Sequence, residues 1–218
     1  MEVTYQSLKA RQRSERSEYS ENIGLRVHRA LSWLHKAEQM EGDKDSQFIF
    51  YWIAFNAAYS NVIDDCYRYT EQDTFRNFIE RLCQLDEQGR LADLVWNEFA
   101  SSIRVLLNNK FVFQPFWDFH NHKKSEQEWE ERFKAANSYA NKALGGKNTS
   151  AVLSVIFSRL YTLRNQIIHG GATWNSSANR AQVRDAVTFL SKFIPFTIEI
   201  MMDNAQEFWG EASYPVVE

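Results

Sequence analysis

Cysteine is almost missing from this chain: two in 218 residues, Cys66 and Cys83. Two thiols cannot form a disulfide framework, and no C-x-x-C pairing is present to hold a metal. Both fall within apolar patterns of helical spacing, so buried free thiols are expected. Proline and glycine are scarce too, at 3 and 8 residues. So few chain breakers disfavour a many-turned β protein and favour long helices. Long apolar runs are absent. The longest, Phe48 to Phe55, is far short of the roughly 20 residues that span a bilayer. The opening "MEVTYQSLKARQRSERSEYSEN" lacks the apolar stretch of a signal peptide. A soluble protein of a reducing cytoplasm, with no membrane partner, is the expectation. Net positive charge is also lacking, since the formal total of −3 argues against a general nucleic-acid coat.

What is present is 44% hydrophobic and 15% aromatic residues, enough for a sizeable core. The charge is unevenly spread. Residues 142 to 192 hold Lys142, Lys147, Arg159, Arg164, Arg180, Arg184 and Lys192 against Asp185 alone, giving +6 there and −9 elsewhere. A positive field concentrated in one region of an acidic protein suits a polyanion gripped at one place.

Apolar residues recur every three and four positions through most of the chain, which predicts helices. They run from 20 to about 40, from 46 to 60, from 73 to 85, from 90 to 107, from 125 to 144, from 149 to 169 and from 180 onward. Ser46 and Thr149 or Ser150 are expected caps, and Pro195 an expected bend. "SQFIFYWIAFNAAYS" is apolar nearly all round and predicts a central helix. Within it, Asn56 must find a partner or cost about 1–3 kcal/mol, so it is expected to tie this helix to a neighbour. No alternating strand pattern appears. The fold class expected is an all-α, multi-helix up-and-down bundle. A charged lead-in or frayed first helix occupies 1–19, one helical domain 20–210 and a tail 211–218.

Two attractive motifs fail. "LGGKNTS" resembles a phosphate loop, but the earlier glycine is replaced by Asn141, Asn148 stands within it, and no strand precedes it. A helix–helix turn is expected. His120 and His122 have a strand-like ligand spacing, but no further His or Cys lies nearby, so no metal site and no cofactor are expected.

"RNQIIHGG", from Arg164 to Gly171, ends a long apolar helix inside the strongly basic part of the chain. Five helical steps place Arg164 and His169 roughly 140° apart on an ideal helix. Gly170 suits the left-handed position that ends a helix, which puts His169 where the chain unwinds and lets its ring swing inward. A cation there is favoured by the macrodipole by up to ~2 kcal/mol. Arginine supplies a permanent planar anion clamp, and histidine is the side chain suited to proton transfer near neutrality. Helix capping alone accounts for many such pairs; here the adjacent Asn165, the double glycine and the basic surroundings point to a site.

These residues resemble the R-x(4–6)-H signature of the HEPN superfamily, in its form R-N-x-x-x-H, followed by Gly170. The upstream "YWIAFNAAY", Tyr51 to Tyr59, is similar to the W-x-A-F-N-A element of Apea-like HEPN proteins. The resemblance implies a helical homodimer whose two motifs face one another. It also implies a metal-independent endoribonuclease, often a toxin or antiviral effector with an antitoxin or other regulatory protein. Carried over, Arg164 and His169 are the catalytic pair and Asn165 supports them, with Asn56 and Gly170 in structural roles. Lys147, Arg159, Trp174, Arg180 and Arg184 are the expected RNA-binding residues, Trp174 by stacking on a base. Some members of the superfamily are catalytically inactive dimers that bind nucleotide, RNA or protein, and that remains the alternative. A third class is an unrelated helical interaction protein.

Overall fold

The computed structural model describes residues 3–60, 71–177, 179–212 and 214; Cys66 lies outside them. The described residues are helical, with no strand. Ten α-helices follow in order: α1 (Tyr5–Glu15), α2 (Glu21–Glu38), α3 (Lys44–Tyr59), α4 (Glu71–Leu85), α5 (Arg90–Asp93), α6 (Ala100–Leu107), α7 (Gln114–His120), α8 (Glu126–Gly145), α9 (Thr149–Ile168) and α10 (Arg180–Asp203). The chain packs as two units, 1–90 with 187–218, and 91–186. The N-terminal charged stretch contains the helix α1.

Short polar side chains set the helix starts. Thr4 and Ser7 form a reciprocal capping box on α1. Asp43, not the expected Ser46, caps α3 by accepting from the Ser46 N–H at 3.1 Å. Asn148, not Thr149 or Ser150, caps α9 by accepting from the Ala151 N–H at 3.0 Å. The stop of one helix was legible while its restart slipped by one to three residues, because Asp and Asn cap as well as Ser and Thr.

In the first unit, α2 turns Val27, Leu31 and Leu34 inward, all fully buried. Phe55 on α3 is the hub of its aromatic core. Its ring lies 5.9 Å from Trp52, 4.6 Å from Tyr59, 6.0 Å from Phe78 and 6.1 Å from Phe193. Such tilted and edge-on pairs add about 0.5–1.5 kcal/mol each beyond burial. The tie expected of Asn56 is not seen: its Oδ1 is buried and accepts no hydrogen bond among the described residues. The tie is made instead by Arg26, a residue the apolar pattern hides. Its guanidinium, 1% exposed, donates to the carbonyls of Ala58 at 2.7 Å and Glu211 at 2.9 Å. Burial pushes its pKa down to about 10. Cys83, also in this unit, is a free thiol whose pKa burial pushes up to about 12.

The second unit departs from the pattern at residues 90–107. One helix was expected; the backbone instead widens into a π-helical turn over Leu94–Glu98, with Phe99 N–H bonded to Leu94 O at 3.1 Å. The wide turn lets Leu94 and Val95 be buried in succession while the Trp96 indole N–H reaches Thr149 Oγ1 at 3.0 Å. A 3-10 turn at Lys110–Val112 then leads to α7, with Pro115 in its first turn, where a missing N–H does no harm. α10 continues through Pro195. No helix among the described residues is long and apolar enough to cross a membrane.

Candidate functional site

The motif belongs to the second unit and occupies the last turn of α9. Val152, Leu153, Ile156, Phe157, Leu160 and Leu163 bury one broad face of that helix at three- and four-residue spacing. Burial fades at the end: Arg164, Asn165 and Gln166 are half-buried, and Ile168 and His169 are exposed. The helix stops as the glycines require. His169 is the C-cap residue, Gly170 takes φ +71°, and the Gly170 N–H bonds to Ile167 O at 3.2 Å. At Gly171 an added Cβ would meet the carbonyl oxygen of Gln166 at 3.1 Å, so the second glycine answers a close backbone approach.

Arg164 is braced from both sides. Its Nη1 donates to Asn165 Oδ1 at 2.9 Å, and its Cζ lies 5.5 Å from the centre of the Tyr161 ring. Its Nε is buried and, among the described residues, has no acceptor. His169 is not drawn into this arrangement. His169 is exposed; its backbone N–H bonds to Asn165 O at 3.0 Å, but among the described residues no hydrogen bond joins its ring to Arg164 or Asn165. Within one chain the helix runs to Ile168 and leaves His169 exposed at its C-cap.

Gln166, a variable position of the motif, is the residue that sequence reasoning missed. Its Nε2 donates to Phe111 O at 2.8 Å, and its Oε1 accepts from Asn179 Nδ2 at 3.0 Å. The Trp117 indole N–H donates to the same Phe111 carbonyl at 2.8 Å. The run of aromatics from 111 to 119 was a visible signal of packing there, but nothing in it pointed to Gln166.

The expected RNA-binding set divides. Trp174 is 73% exposed in the loop after the motif, and Arg184 is exposed beside Asp185 at 3.4 Å. Arg180 Nε donates to Ser176 O at 3.1 Å, bracing that same loop. Arg159 is a correction. It is 2% exposed, its Cζ lies 4.4 Å from the Phe113 ring and 5.6 Å from Phe133, and its Nη2 donates to Leu107 O at 3.2 Å. Burial pushes its pKa down to about 10, and it is a core residue that lines no surface path. Lys147 is exposed in the left-handed turn before α9, with φ 51°. The 20 residues of α9 separate it from the motif by about 30 Å, which removes it from the immediate site. That turn is the helix–helix connection expected of "LGGKNTS". Among the doubtful metal ligands, the His120 ring packs at 4.4 Å against Phe116.

The chain was compared with protein-family models, with curated proteins and with solved structures, and none matches.

Proposed function

We propose that this protein is a metal-independent endoribonuclease of HEPN type, working in the cytoplasm as a dimer with a composite site. The observation that carries the reading is the state of Arg164. A half-buried guanidinium is held by Asn165 and Tyr161, has one hydrogen bond, and keeps a buried donor without an acceptor. An anchored planar fork with donors uncommitted is suited to a phosphodiester, which it can hold bidentately. RNA brings its own nucleophile. The 2′-oxygen attacks phosphorus, the bond to the 5′-oxygen breaks, and a 2′,3′-cyclic phosphate and a 5′-hydroxyl result. The 2′ proton passes to a neutral His169 ring, and a protonated ring delivers one to the leaving 5′-oxygen; two copies of the chain divide these tasks. Such transfers typically contribute 10²–10⁴-fold. An exposed imidazole at a helix end is accessible to a strand and to a second copy alike. Control by an antitoxin or other regulatory protein, in toxin or antiviral service, belongs to the same proposal.

The exposure of His169, outside the Asn165 and Tyr161 contacts that brace Arg164, favours a second reading, an inactive HEPN dimer that binds RNA, nucleotide or protein through the arginine. The test is incubation of the purified chain with total RNA in excess EDTA at neutral pH, with analysis of the new ends. Cyclic phosphate ends that vanish on His169→Ala, with folding intact, support the enzyme. Intact RNA under these conditions supports the second reading.

A further inference from the structure

Two large rings are exposed in the second unit beside the motif: Phe111 at 46% and Trp174 at 73%. They sit on different segments, the 3-10 turn before α7 and the loop after α9. Both segments are fastened to the last turn of α9 by one side chain. The amide nitrogen of Gln166 holds the carbonyl of Phe111, and its oxygen holds Asn179, which closes the loop. The loop is braced further by Ser176 N–H on Thr173 O at 3.2 Å and by Arg180 on Ser176 O. Asn179 itself stands at φ 60°, a conformation its side-chain bond helps to hold. Exposed rings on braced backbone are presented rather than loose. A cation accompanies one of them: Lys110 Nζ lies 5.5 Å from the Phe111 ring centre and 5.3 Å from Phe116. Rings accompanied by positive charge, on segments fastened to the same helix end that carries Arg164, are the chemistry of single-stranded nucleic acid, whose bases stack while its phosphates pair.

We propose that Phe111 and Trp174 stack on unpaired bases flanking the phosphodiester held by Arg164, and that Gln166 is the positioning residue that sets both rings relative to the motif. The substrate class is therefore single-stranded RNA. This rests on the nuclease reading for its ligand, but its test does not depend on cleavage.

Binding is measured in the His169→Ala background, so that strand scission does not interfere. The probe is a fluorescently labelled 12-nucleotide RNA, single-stranded or annealed to its complement, followed by anisotropy. The single strand should bind at least tenfold tighter than the duplex. Phe111→Ala and Trp174→Ala should each weaken single-strand binding by roughly 5- to 150-fold, the fold-change equivalent of 1–3 kcal/mol per stacked base, and leave duplex binding unchanged. Gln166→Met keeps length and removes both hydrogen bonds. It should weaken single-strand binding, and combined with Phe111→Ala it should add less than its separate effect, because both act on one ring. A purely structural glutamine would lower melting temperature without this coupling. Gln166→Glu, which keeps the acceptor for Asn179 and loses the donor to Phe111, supplies the comparison if Gln166→Met fails to fold. Equal affinity for single strand and duplex, unaltered binding in both alanine variants, or additive Gln166 and Phe111 effects would overturn the proposal. So would preference for a protein partner with no RNA binding. Ring-dependent binding by a wild-type chain that cleaves nothing would keep this inference and remove the nuclease. Cleavage with ring-independent binding would do the reverse.

Discussion

Arg164 donates to the side-chain oxygen of Asn165, its immediate neighbour, at 2.9 Å. Adjacent residues on a helix do not normally face each other. The arginine must bend toward Asn165 while its plane rests near Tyr161, one turn back. That pairing fixes a flexible side chain in advance, so less freedom is lost when an anion arrives.

Asn165→Ala should therefore lower RNA cleavage about tenfold by releasing the fork, with little change in melting temperature. Arg164→Lys should not rescue activity lost in Arg164→Ala, since a point charge cannot reproduce the planar fork. Steady-state cleavage of a defined oligoribonucleotide measures both. An active Arg164→Lys chain would contradict the role given to the guanidinium plane.

Arg159 makes the opposite prediction from a surface cation. Arg159→Ala removes a buried side chain held between Phe113 and Phe133 and should destabilise by about 2–4 kcal/mol. Arg159→Met, which fills much of the space and removes the buried charge, should lose less. Neither should alter the salt dependence of RNA binding, which follows phosphate contacts. Urea titration and binding at two salt concentrations check the pair.

The two glycines after the motif should differ in kind. Gly170→Ala has open space but a left-handed backbone, and should cost about 1–2 kcal/mol. Gly171→Ala meets the Gln166 carbonyl, so it should also displace the turn that carries Gln166 and weaken RNA binding. Equal binding by both variants would show that the close approach has no bearing on the site.

Acid stability should depend on Asp203. Burial opposes its charge, but hydrogen bonds from Arg90 and from Arg11, the latter at 2.6 Å, outweigh it and hold the carboxyl below its ordinary value. A lowered carboxyl pKa stabilises the fold above the unfolded value near 4 and loses that contribution as pH falls through the folded value. Asp203→Asn should be less stable by about 1 kcal/mol at neutral pH. The gap should close as pH drops below about 4. A gap unchanged down to pH 2 would rule the network out as its source.

Much of this molecule was legible in its residues. Breaker scarcity and three-to-four spacing announced helices, since a 3.6-residue period leaves its mark wherever one face is buried. Gly170 announced the end of α9, because few other residues enter the left-handed region freely. The polar residues were read less well. Arg159 was expected on an RNA path and is core; Arg26, which the pattern did not single out, is core as well; Asn56 was expected as a tie, and its Oδ1 has no hydrogen-bond partner among the described residues. Periodicity records which face is apolar, and it cannot show that a long cationic stem will thread between rings or reach a distant carbonyl.

The composition and local pattern of this chain were enough to determine that it is helical, that α9 stops at its glycines, and that Arg164, Asn165 and His169 share one helix end. Tertiary packing alone decided that Asn165 and Tyr161 brace the arginine, that the imidazole stands apart from it, and that Gln166 fastens two distant segments to the same turn. The reason is range: helix formation is a contest among neighbours a few residues apart, whereas Gln166 and Phe111 are 55 positions apart and meet only after the core has closed.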